Sequence, residues 1–267
     1  MKKRLVFAVV TIIVACSLVV PAFANQTVNM DHVNEVLLER NYPQHVLDRL
    51  SDETKIGLYS NSALSYMSST CLNYDEETGT YSDVSNPQQR GHIGDDELEL
   101  TFIYSAAYED ENEEALDYIQ VTFVYDWLNV PAFRWQDPVA VSWDDEYFRM
   151  IPGSFSKADY YYNTIYDCWY TYATSNSPSD LNDAGVSWYA NLAEIVMCNR
   201  LTGSAEFQIE PVPEKQPLTS VNSIIYGKYI HPKVSIGCSV VVSKYGTFDV
   251  SVDGNYDEMA TSDYITF

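Results

Sequence analysis

Trp143-Asp144-Asp145-Glu146-Tyr147 is the densest meeting of acids and rings in the chain. A glycosidase needs two carboxylates at a set separation beside a ring on which a sugar can stack, and this segment holds both residue types. Asp144, Asp145 and Glu146 are therefore the candidate catalytic acids, and their reaction would be hydrolysis of a polysaccharide. A polar turn after a strand places Asp at the same positions to serve its own backbone, and that reading is the stronger one. A second acidic run, Asp253-Gly254-Asn255-Tyr256-Asp257-Glu258, brings oxygen atoms close together. Asp253, Asn255 and Asp257 are candidate Ca2+ ligands, since calcium takes several oxygens and is plentiful outside cells. Gly254, however, follows the first acid directly instead of standing sixth as in an EF-hand loop, and Asp-Gly-Asn is a common tight turn. No other cofactor is expected.

The patterns that identify most enzymes are absent: H-E-x-x-H, G-x-S-x-G, a Walker loop and G-x-G-x-x-G. His32, His45, His92 and His231 are scattered, and nothing in the spacing brings one to a nucleophile. Rings are the remaining lead. Tyr160-Tyr161-Tyr162 and Tyr166-Asp167-Cys168-Trp169-Tyr170-Thr171-Tyr172 put aromatics on both faces of any strand they form. If one face is core, the other is a row of exposed rings able to stack on sugars or grip a protein, with Tyr160, Tyr161, Tyr162 and Trp169 as candidate ligand-binding residues. The leading alternative is a central strand covered on both faces.

Positioning these residues falls to two kinds of element. From about residue 30 to 60 the apolar spacing is helical. Asp31 can cap a first helix carrying Val33, Val36 and Leu37, Pro43 suits the first turn of a second, and Ser51-Asp52-Glu53-Thr54 opens a third. Each is too short to stand alone in water and must pack on something. From Ala63 onward the period becomes two. Leu98, Leu100, Phe102 and Tyr104 alternate with polar residues, with Ile103 the exception, and Ile119, Val121, Phe123, Tyr125 and Trp127 do the same. Val234, Ile236, Cys238, Val240 and Val242 face one way, and after Lys244-Tyr245-Gly246 the chain returns with Phe248, Val250 and Val252. One apolar and one solvated face is the mark of antiparallel sheets. The expected fold is mainly β: an antiparallel β-sandwich, jelly-roll-like or Ig-like, with a short helical N-terminal segment.

The address comes from the start of the chain. Met1-Lys2-Lys3-Arg4, an apolar run from Leu5 to Val20 and an A-x-A end at Ala22 and Ala24 make a secretory signal peptide, with cleavage between Ala24 and Asn25. The expected division is a signal over 1–24, a helical segment over 25–62 and a sandwich domain over 63–267. Ile13-Val14-Ala15-Cys16 loosely fits a lipobox, so lipid anchoring at Cys16 is the alternative, but Leu18, Val19 and Val20 continue the apolar run past it. No second apolar run approaches the length of a membrane helix.

Composition sets the surface. The chain has 15 Lys and Arg against 38 Asp and Glu, and losing Lys2, Lys3 and Arg4 with the signal leaves 12 against 38, a formal −26. Such a field keeps the protein soluble and repels nucleic acid and other polyanions. Cys71, Cys168, Cys198 and Cys238 remain after cleavage, an even number that in an exported protein points to at least one disulfide, with three pairings open. Four buried free thiols are the alternative.

Tyr42-Pro43-x-x-x-Leu47-x-x-Leu50 with Glu53-Thr54-Lys55, and Pro131-x-Phe133-Arg134-x-x-Asp137-Pro138-Val139-Ala140-Val141-Ser142-Trp143, resemble segments of uncharacterised secreted proteins of Gram-positive bacteria. The resemblance implies a bacterial surface or secreted setting and no reaction. Together these readings describe a secreted, non-enzymatic β-sandwich that binds a glycan or protein ligand. The rivals are a polysaccharide hydrolase with acids near Trp143 and a subunit of an extracellular assembly.

Overall fold

A computed structural model describes residues 28–75, 80–83, 97–108, 115–128, 130–215, 222–233, 237–251 and 255–266. The expected signal peptide, its Ala24/Asn25 junction, Cys16 and Asp253 lie outside them. Three helices come first: α1 (Met30–Glu39), α2 (Gln44–Leu47) and α3 (Asp52–Ser60). The cap of α1 is Asn29, whose side chain accepts from the Asp31 and His32 N–H groups, so Asp31 sits inside the first turn instead of capping it. Ser51 caps α3 by accepting from Thr54 N at 3.2 Å. The Arg40 guanidinium, at the end of α1, donates to the carbonyls of Leu58, Tyr59 and Asn61 and so satisfies the open end of α3.

The strands follow as β1 (Ser65–Asp75), β2 (Thr80–Asp83), β3 (Glu97–Tyr108), β4 (Leu116–Trp127), β5 (Gln136–Ser142), β6 (Phe148–Met150), β7 (Ser156–Asn163) and β8 (Cys168–Ser175). Then come β9 (Asp180–Asn182), β10 (Gly185–Asn191), β11 (Cys198–Pro211), β12 (Asn222–Pro232), β13 (Ser239–Lys244), β14 (Thr247–Ser251) and β15 (Tyr256–Thr266). The first sheet runs β2-β1-β3-β4-β11-β7-β8, with β6 also on β11, and the second runs β15-β12-β5-β10-β9. Every pairing among the described residues is antiparallel.

The core lies between the sheets. Leu98, Leu100, Phe102 and Tyr104 of β3, Phe123 and Trp127 of β4 and Phe207 of β11 meet Val139, Val141, Trp188 and Tyr229 of the second sheet. Phe123 sits at the middle, 4.9 Å from the Phe102 ring, 5.5 Å from Trp188 and 6.0 Å from Tyr229. The alternation read from the sequence thus sets the inward face.

The outward faces are not simply solvated. Val33, Leu37, Tyr42, Val46, Leu47 and Leu58 of the helical segment cover Ile103, Ala107 and Val124 on the outside of β3 and β4. Ile103 breaks the alternation because it serves this second cluster. Thr101, Ser105 and Thr122 are buried beneath the helices too, and Tyr42 donates to Ser105 Oγ at 2.8 Å. Burial pushes the Tyr42 phenol up to about 12.

On the opposite side the β13–β14 hairpin closes over Ala140 and Ile230 of the second sheet and Ala184 of the β9–β10 turn with Cys238, Val240 and Val242. It turns at Gly246, whose φ is +67°. Gly185 permits that approach, since a Cβ there would come within 2.5 Å of both Val141 O and a Val242 methyl. The result is four layers: helices, sheet, sheet, hairpin.

Candidate functional site: an aromatic sheet edge

β7 and β8 form a hairpin at one end of the first sheet, where β8 is the last strand. Asn163 starts its turn, accepting from Ile165 N at 2.9 Å and Tyr166 N at 3.2 Å, and Asp167 takes a positive φ of 53° to bring the chain back. Period two then sorts the rings. Tyr161, paired with Leu201 of β11, and Tyr170 point to the inner side, while Tyr162, paired with Arg200, and Trp169 point outward.

The second sheet and the helices do not cover this hairpin as they cover β3 and β4. Tyr166 is 69% exposed, Tyr172 43%, Trp169 41% and Tyr170 39%. On the inner side Tyr161 stacks on Tyr170 at 5.5 Å and meets Tyr172 edge-on at 6.5 Å, with Tyr166 a further 6.4 Å beyond Tyr170. On the outer side Trp169 meets Tyr162 at 5.3 Å, and the Arg200 guanidinium lies 5.5 Å from the Trp169 ring. Ile165 at the turn and Val196 and Met197 on the neighbouring loop are exposed, and Thr164 ties turn to loop by donating from N to Met197 O at 3.0 Å. An apolar surface thus wraps both faces and the tip of a strand that ends the sheet among the described residues. The alternative of a central strand covered on both faces does not describe β8, which stands at the end of the sheet order and keeps Trp169, Tyr170 and Tyr172 exposed.

A cleft of about 350 Å³ runs from this edge to the helices, lined by Arg49, Glu53, Asp126, Tyr160, Trp169 and Arg200. Arg200 donates to Asp126 Oδ2 at 2.9 Å. Burial outweighs that cation and pushes the Asp126 carboxyl up to about 6. Of the four predicted ring residues, Trp169 is exposed and Tyr160, Tyr161 and Tyr162 are half-buried: Tyr162 lies against Trp169 and Tyr160 shares its cleft on the outer side, while Tyr161 supports Tyr170 on the inner side.

The acid cluster is placed differently. Trp143 is fully buried, its ring 5.9 Å from Phe207 and its indole N–H donating to Asp183 O at 2.9 Å. No sugar can reach it. Asp144 accepts from Glu146 N through its side chain and from Tyr147 and Phe148 N through its carbonyl, so it shapes a turn, and Asp145 and Glu146 point to solvent. Asp144, Asp145 and Glu146 thus lie in the turn between β5 and β6, with the Trp143 ring beside them in the core.

Of the calcium candidates, Asn255 is exposed and its carbonyl accepts from Lys233 N at 2.9 Å; Asp257 pairs with His231 in the β12–β15 ladder, and its side chain is outside the described residues, as Asp253 is. Among the described residues no three His, Cys, Asp or Glu side chains converge as a metal group would need.

Cys168, Cys198 and Cys238 are free thiols, which corrects the disulfide expectation for those three. Cys168 and Cys198 both stand level with Asn163 but on opposite sides of β7. Two strand spacings separate them by about 9.5 Å, beyond the roughly 4.4–6.8 Å a disulfide spans. Cys238 lies in the hairpin layer, where burial pushes its thiol up to about 12. Cys71 stands opposite Thr101 in the β1–β3 ladder, and its side chain is outside the described residues.

Two buried polar clusters were not found from the sequence. His231 Nδ1 lies 3.0 Å from Asp137 Oδ2, which also accepts from the Tyr229 hydroxyl, and all three are closed to solvent beneath Trp127. Near the aromatic edge, Lys157, Asp159, Asn191 and Tyr125 form a second cluster. Lys157-x-Asp159 is legible as two residues on one strand face, but Asn191 comes from the other sheet.

No protein-family model matches the chain, and no curated protein sequence does. Among solved structures it is similar to the collagen-binding subdomain of the Enterococcus faecalis surface protein ACE, at 8% identity and TM-score 0.30 over 55% of this chain and 88% of that one. It is also similar to the T6 backbone pilin of serotype M6 Streptococcus pyogenes, at 8% identity and TM-score 0.33 over 68% of this chain. That match spans 49%, about half, of the pilin.

Proposed function

We propose that the chain is an exported binding module whose ligand surface is the aromatic edge of β7 and β8, and that its ligand is an uncharged stretch of another protein. The observation that carries this reading is the run of exposed rings and aliphatic side chains, Trp169, Tyr170, Tyr172, Tyr166, Ile165 and Met197, around the end strand of a sheet. An edge offers backbone N–H and C=O groups for an added strand, and rings on both faces supply the pockets for its side chains. Aliphatic Ile165 and Met197 suit a protein ligand better than a sugar. The formal −26 of the processed chain selects against anionic partners.

The test is binding of the processed protein to an array of extracellular proteins and neutral glycans, repeated with Trp169→Ala and Tyr170→Ala. A shared ligand weakened about tenfold or more by either substitution supports the reading, since stacking is lost without opening a core cavity. A ligand indifferent to both overturns it, and neutral glycans as the binders would turn it toward sugar recognition. The same edge would serve self-assembly, in which case the apparent size grows with concentration and Trp169→Ala restores the monomer. Export itself predicts that secreted material begins at Asn25, read by N-terminal sequencing; a lipidated species starting at Cys16 would place the edge on the cell surface.

A further inference from the structure

We propose that Lys157 and Asn191 become joined by an intramolecular amide bond, formed by the folded protein itself, with Asp159 relaying the protons and one molecule of ammonia released. The proposal does not depend on what the aromatic edge binds.

The geometry begins with strand register. Lys157 and Asp159 stand opposite Ala205 and Gly203 of β11, on the inward side of the first sheet. Small neighbours leave room there. A Cβ on Gly203 would come within 2.5 Å of the Tyr125 ring, so glycine lets Tyr125 lie across and donate its hydroxyl to Asp159 Oδ1 at 3.2 Å. Asn191, at the end of β10, enters from the facing sheet.

Lys157 Nζ lies 2.6 Å from Asp159 Oδ2, and Asn191 Nδ2 lies 2.8 Å from that same oxygen. An amine and a carboxamide therefore share one carboxylate oxygen. Lys157 is 8% exposed and Asp159 2%. Nζ also donates to Tyr189 O at 2.5 Å, which holds the amine in place. On the amide side, Asn191 Oδ1 accepts from Gln136 Nε2 at 2.7 Å.

Each element of an acyl transfer is present. A buried ion pair is costly, and burial pushes the Asp159 carboxyl up even against the nearby ammonium, so passing a proton from Nζ to Asp159 leaves two neutral groups at low cost. The free amine lone pair then attacks Asn191 Cγ. Negative charge gathers on Oδ1, where the Gln136 N–H already points. Asp159 gives its proton to Nδ2 and takes one from Nζ, acting as general acid and then general base. The Cγ–Nδ2 bond breaks as the Cγ–Nζ bond forms, and ammonia leaves. Nothing is oxidised or reduced, and no external reagent is consumed. Gln136 and Asn191 line an open cavity of about 360 Å³, which gives the ammonia a way out to water, where it takes up a proton. Holding the two groups together in the fold supplies the proximity that an unfolded chain lacks.

The product ties β7 of the first sheet to β10 of the second. The experiment is intact mass of the purified, processed protein under denaturing conditions, followed by tryptic mapping. The expected result is a mass one ammonia below that of the sequence, a branched peptide linking Lys157 to Asn191, and no cleavage after Lys157. Asn191→Ala and Lys157→Met should each restore the full mass calculated for the variant. Asp159→Asn keeps both partners but removes the proton relay, and its mass should also be full. A wild-type protein at full sequence mass, with trypsin cutting after Lys157, overturns the proposal without reference to any variant. A mass loss mapping to another pair of residues overturns it as well.

Discussion

β3 and β4 in one half of the first sheet place rings at every second residue, whereas β7 and β8 in the other half carry rings on both faces, with Tyr170 and Tyr172 two residues apart. Phe102, Tyr104, Phe123 and Tyr125 are fully buried because the second sheet lies over one face and the helices over the other. Tyr170 and Tyr172 follow the same period and remain exposed because those coverings stop short of the last strand. Local sequence sets which way a ring points, whereas the extent of the layers decides whether it meets protein or water. Aromatic alternation is therefore a statement about orientation and not about core.

The largest effect that would sharpen this contrast is loss of a central ring. Phe123→Ala should cost about 3–5 kcal/mol in denaturant unfolding, because it opens a cavity among Phe102, Trp188 and Tyr229 that the two sheets cannot close. A cost below about 1 kcal/mol would show that the β3–β4 half is loosely packed and that the two halves do not differ as described.

Between core and edge stands the cluster of Lys157, Asp159 and Asn191. Asn191→Ala should lower stability by about 3 kcal/mol, the order expected when a cross-link closing a loop of some tens of residues is lost. For a domain of this size that is a fall in Tm of about 10 °C. The comparison is made on protein whose mass has been read. A fall in Tm without a change in cross-linking would leave only the lost hydrogen bonds to Asp159 and Gln136, each worth about 1 kcal/mol.

How much was legible in the sequence differs between these regions for physical reasons. The period-two runs disclosed the sandwich, since Leu98 to Tyr104 and Ile119 to Trp127 bury the residues their spacing assigns inward. The helices were legible from Val33, Leu37, Val46 and Leu47, and Ile103 was a visible sign that something covers the outside of β3. Trp143 could not be sorted in the same way. Its ring could serve a sugar or a core equally well, and only the β5–β10 pairing shows it is enclosed. Asn191 was unreadable as a partner of Lys157, because contact between two sheets depends on their relative placement. Compartment statistics favoured a disulfide, but β7 between Cys168 and Cys198 prevents one between them.

Asp126, in the cleft where the helices end and the aromatic edge begins, gives a smaller and pH-dependent effect. Its carboxyl is pushed from 3.8 up to about 6 by burial, with the Arg200 cation opposing. A carboxyl with a raised folded-state pKa binds its proton more tightly in the folded than in the unfolded chain. Stability should therefore fall as pH rises from about 4 to about 6 and level off above that, by an amount on the order of 1 kcal/mol after screening. Asp126→Asn should remove that slope, measured by denaturant unfolding across the range against the wild type. An unchanged slope would assign the pH dependence to other acids.

The smallest effect is expected at the edge itself. Trp169 and Tyr170 each lose ring contacts when truncated, Trp169 to Tyr162 and Arg200, Tyr170 to Tyr161 and Tyr166. These contacts lie in water on one side, so Trp169→Ala and Tyr170→Ala should each change stability by no more than about 0.5–1 kcal/mol. The end strand β8 and the hairpin turn held by Asn163 stay intact in both variants, which keeps the surface in place while removing a ring. Set beside Phe123→Ala, a small cost at Trp169 with weakened ligand binding separates rings kept for a partner from rings kept for the fold. If Trp169→Ala instead unfolded the protein by several kcal/mol, the hairpin would be an extension of the core, and its exposure would carry no meaning for binding.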